Sequence, residues 1–214
     1  NLLSNISNAR MFDEFCKIFL YGSAEKNFSK LKTFNLNKYL VYANHNMSKF
    51  SENLIDEALR NTDNRIKNGL SVTPGFLIAA LLWPSLLKKC VKNNEINIRI
   101  FFRSMDNILK NQQQLTAIPR KFHSYIKDIW ILQLKLHSRI GSQPYKLLKH
   151  PRFRAAYDFL LIREKASNDK KQLGSLWTSF QRNDQDLRKK FIGNLKKDNF
   201  NESSKVFGFL EELR

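Results

Sequence analysis

Acidic residues are the scarce class in this 214-residue chain. Nineteen Asp and Glu stand against 37 Lys and Arg, for a formal charge of +18 at pH 7. Cysteine is nearly missing: Cys16 and Cys90 are the only two. Neither lies in a CxxC pair or beside paired histidines, which argues against a zinc site and fits free thiols in a reducing cytoplasm. Seven Gly and five Pro give few interruptions. Runs alternating β-branched with polar residues are equally few, so a sheet-rich fold is poorly supported. The apolar run from Phe76 to Leu82 is too short to span a membrane, and no secretory leader pattern is visible. None of His45, His123, His137 and His150 precedes an Asp, so no HD-type metal site is signalled. The adjacent acids Asp13–Glu14 and Asp56–Glu57 diverge on a helix and cannot converge on one substrate.

What is present is helix-forming and bulky. The chain is 42% hydrophobic, with 17 Phe and three Trp as core material. Apolar spacing near 3.6 predicts an all-α protein of about nine or ten helices. Met11, Phe12, Phe15, Ile18 and Phe19 predict a helix over 8–21 that Gly22 stops. Phe28, Leu31 and Leu36 mark short helices over 25–41, and 41–48 reads as a loop. Leu54, Ile55, Ala58, Leu59 and Ile66 predict a helix over 52–67, closed by Asn68-Gly69. Thr73-Pro74 opens a helix to about Lys92 that is apolar nearly all round and therefore central, with Pro84 as a kink. Helices over 96–113 and from Pro119 to Gly141 follow, the second with Phe122, Ile126, Ile129, Trp130 and Ile140 inward. Trp83 and Trp130 read as core by their surroundings. Pro144 and Pro151 each restart the chain as a new helix, Pro151 as a first helical residue, and Phe153, Ala156, Tyr157, Leu160 and Leu161 form an apolar face. Asp169 and Asp184 predict two more N-caps, with Leu173, Leu176, Trp177 and Phe180 inward on the first of these helices. Ser203 to Arg214 reads as a weak terminal helix.

The positive charge is not spread evenly. Residues 115–165 carry eleven basic and three acidic side chains, and a local excess of this size points to a polyanion. The candidate RNA-binding residues are Arg120, Lys121, Lys135, Arg139, Lys146, Lys149, Arg152 and Arg154. Arg154 is the weakest of them, because Asp158 lies one turn on and can neutralise it. Single-stranded RNA recognition would add stacking on an exposed aromatic, for which Tyr145 is the best placed. Phe153 is expected to point inward. His150 reads first as a hydrogen-bonded helix entrance and second as an RNA contact.

Several segments resemble the neck, body and C-terminal region of bacterial poly(A) polymerases, a class II nucleotidyltransferase family similar to the CCA-adding enzymes. Ala9-Arg10-Met11-Phe12-Asp13-Glu14 with Lys17 resembles the neck helix. Asn61-Thr62-Asp63 with Arg65, Val72 to Leu77, and Ala79 to Pro84 resemble the body. Ala117 to Lys121, Asp128-Ile129-Trp130, the run Leu147 to Asp158, and Trp177 with Phe180 continue the likeness in order. The chain departs from the pattern at Val41-Tyr42, where an aromatic-proline pair is frequent, and at Ile140, which follows Arg139 in place of a second basic residue. The resemblance implies a neck remnant over 1–50, a helical body over 51–114 and a basic C-terminal RNA-binding domain over 115–214. It implies that the whole enzyme adds AMP from ATP to RNA 3′ ends with Mg²⁺, in a head that precedes these segments. No catalytic or metal residue and no cofactor is assigned within this chain, which is expected to be inactive alone and cytoplasmic. A non-enzymatic helical RNA-binding protein and a helical protein-interaction module stand as alternatives. Gly174-Ser175 followed by Asp184-Gln185-Asp186 imitates a nucleotidyltransferase signature. The pattern lacks the strand context and reads as coincidence.

Overall fold

The computed structural model describes residues 6–42, 48–92, 95–137, 141–167, 173–182 and 188. Among them the architecture is all-α. The order is α1 (Asn8–Phe19), α2 (Ala24–Thr33), a 3-10 turn (Asn37–Tyr39), α3 (Lys49–Lys67), α4 (Pro74–Cys90), α5 (Ile98–Leu115), α6 (Arg120–Leu136), α7 (Gln143–Leu148), α8 (Phe153–Ser167) and α9 (Leu173–Gln181). Ser7, Ser48 and Asn97 begin α1, α3 and α5 by accepting the amides of Arg10, Ser51 and Ile100. Each side-chain oxygen satisfies one of the donors a helix start leaves open. Gly22, Gly69 and Gly141 have positive φ. Asn68-Gly69 closes α3, with Leu70 N–H returning to Arg65 O at 2.8 Å.

α4 is the central element, as its all-round apolar pattern requires. Every residue from Gly75 to Trp83 is buried, as are Ser85, Leu86, Leu87 and Cys90. It packs against α3, α5 and α6, while α3 and α6 both meet α8. Trp130 reaches into α4 and donates its indole N–H to Ala79 O at 2.9 Å. Trp83 stands edge-on to Phe159 at 5.5 Å and to Phe101 at 6.3 Å. Each fully enclosed leucine here, such as Leu77 or Leu82, contributes about 2–5 kcal/mol against truncation to Ala. A smaller core joins Leu132 and Leu136 of α6 to Leu147, Phe153, Ala156, Tyr157, Leu160, Leu173, Trp177 and Phe180.

Several expectations need correction. α1 stops at Phe19, ahead of Gly22, and Leu36 is exposed where the 3-10 turn leaves the core. α4 ends at Cys90, and the chain continues into an unanticipated antiparallel hairpin, β1 (Val91–Lys92) with β2 (Glu95–Ile96), pairing Val91 with Ile96. Pro151 is not the first residue of α8. His150 Nδ1 accepts the Arg152 amide at 3.1 Å and His150 O accepts the Phe153 amide at 2.9 Å, so a tight turn precedes the helix, which begins at Phe153. Leu161 and Leu176 lie on the solvent side of their helices. Both sit beside inward residues in sequence but at the edge of the stripe. Ile140, Asp169, Asp184 and Ser203 to Arg214 lie outside the described residues.

Candidate nucleic-acid interface

The cationic residues divide among four places. Lys135 ends the exposed face of α6, and α7 follows against the same small core through Leu147. Pro144 and Leu147 point inward on α7, which turns Tyr145, Lys146 and Lys149 outward. The Tyr145 ring is 40% exposed and rests on Phe180 at 5.2 Å. Lys135 thus lies in the last turn of α6, and Tyr145, Lys146 and Lys149 lie on or directly after α7, which packs on the same core. Arg120 and Lys121 sit at the other end of α6, about 22 Å away at 1.5 Å per residue. They lie beside α1, whose Phe12 meets Phe122 at 6.1 Å. Arg139 lies outside the described residues.

Arg152 occupies a third place. It folds back over the Tyr125 ring at 4.8 Å and is half-buried. Burial pushes the Tyr125 phenol above its usual range, with Thr73 and Arg152 opposing, so the ring stays neutral beneath the cation. Arg154 points elsewhere again, into a groove between α3 and α8. Its Nε meets Asp158 Oδ1 at 3.1 Å, and Arg65 Nη1 approaches the other oxygen at 3.8 Å. Burial raises the Asp158 carboxyl above the ordinary carboxylate range; Arg154 and Arg65 pull it down without cancelling that effect.

Pairing separates the groups. Lys17, Arg60, Lys127, Arg154 and Lys165 each hold a carboxylate. Arg120, Lys121, Lys135, Lys146, Lys149 and Arg152 have no ion-pair partner among the described residues. Desolvating an unpaired surface cation against a phosphate costs no existing bridge, so this second set suits polyanion binding. Among the described residues, no group of three or more His, Cys, Asp or Glu is placed to share a metal ion. No helix there is long and apolar enough to cross a membrane.

Reasoning from sequence missed two contributions. Arg188 lies over the rings of Tyr145 and Phe180 at 5.7 and 5.1 Å, and the run Arg188-Lys189-Lys190 was its signal. Asn61, Asn64, Arg65 and Lys165 line the α3–α8 groove, and only the fold brings them together. The imitation signature is resolved at its first half. Gly174 N–H donates to the Glu164 carboxylate at 2.9 and 3.1 Å. A Cβ there would overlap that carboxylate and Leu161 Cδ2. This glycine serves packing at the start of α9. His150 is likewise the hydrogen-bonded entrance its position suggested.

The described residues define an all-α protein that carries surface cations without ion pairs in more than one place. Comparison of sequences makes this specific. The family described as the polymerase A arginine-rich C-terminus matches residues 94–205, and the family described as the probable RNA and SrmB-binding site of polymerase A matches residues 1–43. The chain belongs to the poly(A) polymerase family and carries these two regions of it. It is 34% identical over 191 residues to poly(A) polymerase I of Salmonella typhimurium (strain LT2) and equally to that of Escherichia coli O157:H7, covering 84% of this chain and 41% of each relative. Poly(A) polymerase I of Haemophilus influenzae is 32% identical over 201 residues, covering 89% of this chain and 44% of its own length. The chain thus spans about two-fifths of the relatives it matches.

Proposed function

We propose that this chain is the RNA-holding part of a polynucleotide adenylyltransferase, an enzyme that extends RNA 3′ ends with AMP from ATP in the cytoplasm. The observation that carries this reading is the set of cations without an ion pair among the described residues toward the α6–α7 end, Lys135, Lys146 and Lys149, with the exposed Tyr145 on the same short helix as Lys146. Cations gripping phosphates give affinity without sequence preference. An aromatic face gives stacking that any base satisfies. That combination suits an enzyme whose substrates differ in sequence up to the 3′ end. Holding the strand on a rigid helical block raises the effective concentration of its terminal hydroxyl at a catalytic centre. ATP and Mg²⁺ would be bound there, in the family's head. The segment over 1–43 adds a second surface to the reading, with Tyr21 76% and Phe34 70% exposed amid Lys17, Lys30 and Lys32.

RNA titration over a series of salt concentrations tests this. If four or five phosphates are contacted, log K against log[salt] slopes by about −3. Charge removal by Lys146→Gln with Lys149→Gln weakens binding and flattens that slope by about 1 to 1.5 while leaving the melting temperature unchanged. Arg152 is unsuitable for this test, because its stacking on Tyr125 makes it part of the fold. A slope near zero for the parent chain sinks the reading.

A further inference from the structure

The groove between α3 and α8 is a polar cavity of the described residues with more cations than carboxylates in its lining. It encloses about 260 Å³ and is lined by Arg60, Arg65, Arg154 and Lys165 against only Glu57 and Asp158 as carboxylates, with Asn61 and Asn64 between them. Bridges cross it: Lys165 to Glu57 at 2.6 Å and Arg65 to Asp158 at 3.8 Å. A groove serving only to join two helices would balance its charges, whereas this one keeps four cations for two carboxylates. Glu25, outside the lining, takes a share of Arg60 at 2.9 Å, which still leaves four cations for three carboxylates; Arg154 and Lys165, bridged to Asp158 and Glu57, are the most exposed of the four. Their side chains are 73% and 65% exposed, so both can turn toward an incoming anion.

The second observation is Asn61. In the run Asn61-Thr62-Asp63 two members have structural tasks. Thr62 Oγ1 donates to Ala58 O at 2.9 Å, and Asp63 accepts two amides from α2. Asn61 has none: the residue lines the groove, and its Oδ1 is buried and accepts no hydrogen bond among the described residues. A buried acceptor without a donor is rare in folded proteins and calls for a ligand or another explanation. What fits is a phosphate with a hydrogen-bond donor beside it.

We propose that the α3–α8 groove is a nucleotide subsite that holds one unit of an RNA strand, its phosphate between Arg154 and Lys165 and its donor on Asn61 Oδ1. The inference rests on the RNA-holding function above and adds a place where the strand is read. Two groups of a nucleotide can supply the donor, the exocyclic amine of adenine and the ribose 2′-hydroxyl. Glu57 bridges both Arg60 and Lys165, and Asp158 both Arg65 and Arg154, so an incoming phosphate exchanges with the bridges of Lys165 and Arg154 while Arg60 and Arg65 keep the carboxylates in place.

Fluorescence anisotropy with labelled oligoadenylate, oligouridylate and oligodeoxyadenylate tests the subsite on the full chain. Arg154→Gln with Lys165→Gln is expected to weaken oligoadenylate binding about fivefold to tenfold and to reduce the salt slope by about 1. Asn61→Ala is expected to weaken it about fivefold while leaving the free chain at least as stable, since the variant removes an unmet acceptor. If the donor is the amine, the parent prefers oligoadenylate to oligouridylate and Asn61→Ala erases that preference. If it is the hydroxyl, the preference erased is RNA over DNA. Parental affinity in both groove variants, with the Lys146→Gln/Lys149→Gln chain still weakened, overturns the subsite and leaves the RNA-holding function standing. No binding of any oligonucleotide by the parent overturns both.

Discussion

Replacing Asp63 by Ala should detach the first two helices from the body. Asp63 belongs to α3, yet its carboxylate accepts the Ala24 amide at 2.6 Å and the Glu25 amide at 3.1 Å, at the start of α2. Ser23, at the capping position, makes no side-chain bond there. A buried carboxylate from another helix therefore does the work of an N-cap, aided by the positive end of the helix dipole. Charge-assisted bonds contribute about 1.5–3 kcal/mol each. Allowing for water reaching the freed amides, Asp63→Ala should cost about 3 kcal/mol in total. In a chain of this size that lowers the melting temperature by about 6–12 °C. Asp63→Asn keeps one acceptor and turns a donor toward the Glu25 amide, so it should cost about half as much. Thermal and urea unfolding followed by circular dichroism measure both variants. A loss within about 0.5 kcal/mol for Asp63→Ala, the ordinary scatter of surface changes, would refute the capping role.

Gly174→Ala places a methyl group into the Glu164 carboxylate and Leu161 Cδ2. Both can shift, so the expected cost is about 1–2 kcal/mol; adding Leu161→Ala should recover part of it, and no recovery in the urea midpoint would discredit the clash. Burial pushes the Cys90 thiol from 9.0 up to about 11, against weaker opposing effects of Ser104 and Lys89. The folded chain therefore holds that proton more tightly than the unfolded one, and stability present below pH 9 declines as pH rises toward 11. A Cys90→Ala chain whose stability falls as steeply over that interval would rule the thiol out. Alkylation of Cys90 at pH 8 should keep pace with unfolding; prompt labelling of the folded chain contradicts its burial.

The helices were legible because their signals are local. The 3.6 spacing of Leu54, Ile55, Ala58 and Leu59 lies within the helix it specifies, whereas the caps Ser48 and Asn97, equally local, went unread and the starts of α3 and α5 were misplaced by two or three residues. Burial of Trp83 and Trp130 followed from apolar surroundings in the same way. What escaped depends on distance. Asp63 caps a helix 39 residues away, and no window of sequence contains both partners. Arg154 follows the local Asp158, but Arg65 reaches that carboxylate from α3, and only the fold shows that the cations gathered between 115 and 165 point four ways. Pro151 was a local signal outweighed by another, the His150 imidazole that captures the Arg152 amide and delays the helix.

Gln112 is buried near the end of α5, where its amide accepts the Tyr42 N–H at 2.6 Å and donates to Leu40 O and Thr116 Oγ1 at 2.8 and 2.7 Å. It thereby ties a segment made 70 residues earlier. At about 5–20 residues per second, a ribosome delivers Asp63 some 2–8 s after Ala24, and Gln112 about 4–14 s after Tyr42. Through that interval Phe15 and Phe19 have no finished core to enter. Apolar side chains of α1 thus wait uncovered while the chain is made, and any slowing of translation between α2 and α5 lengthens that wait.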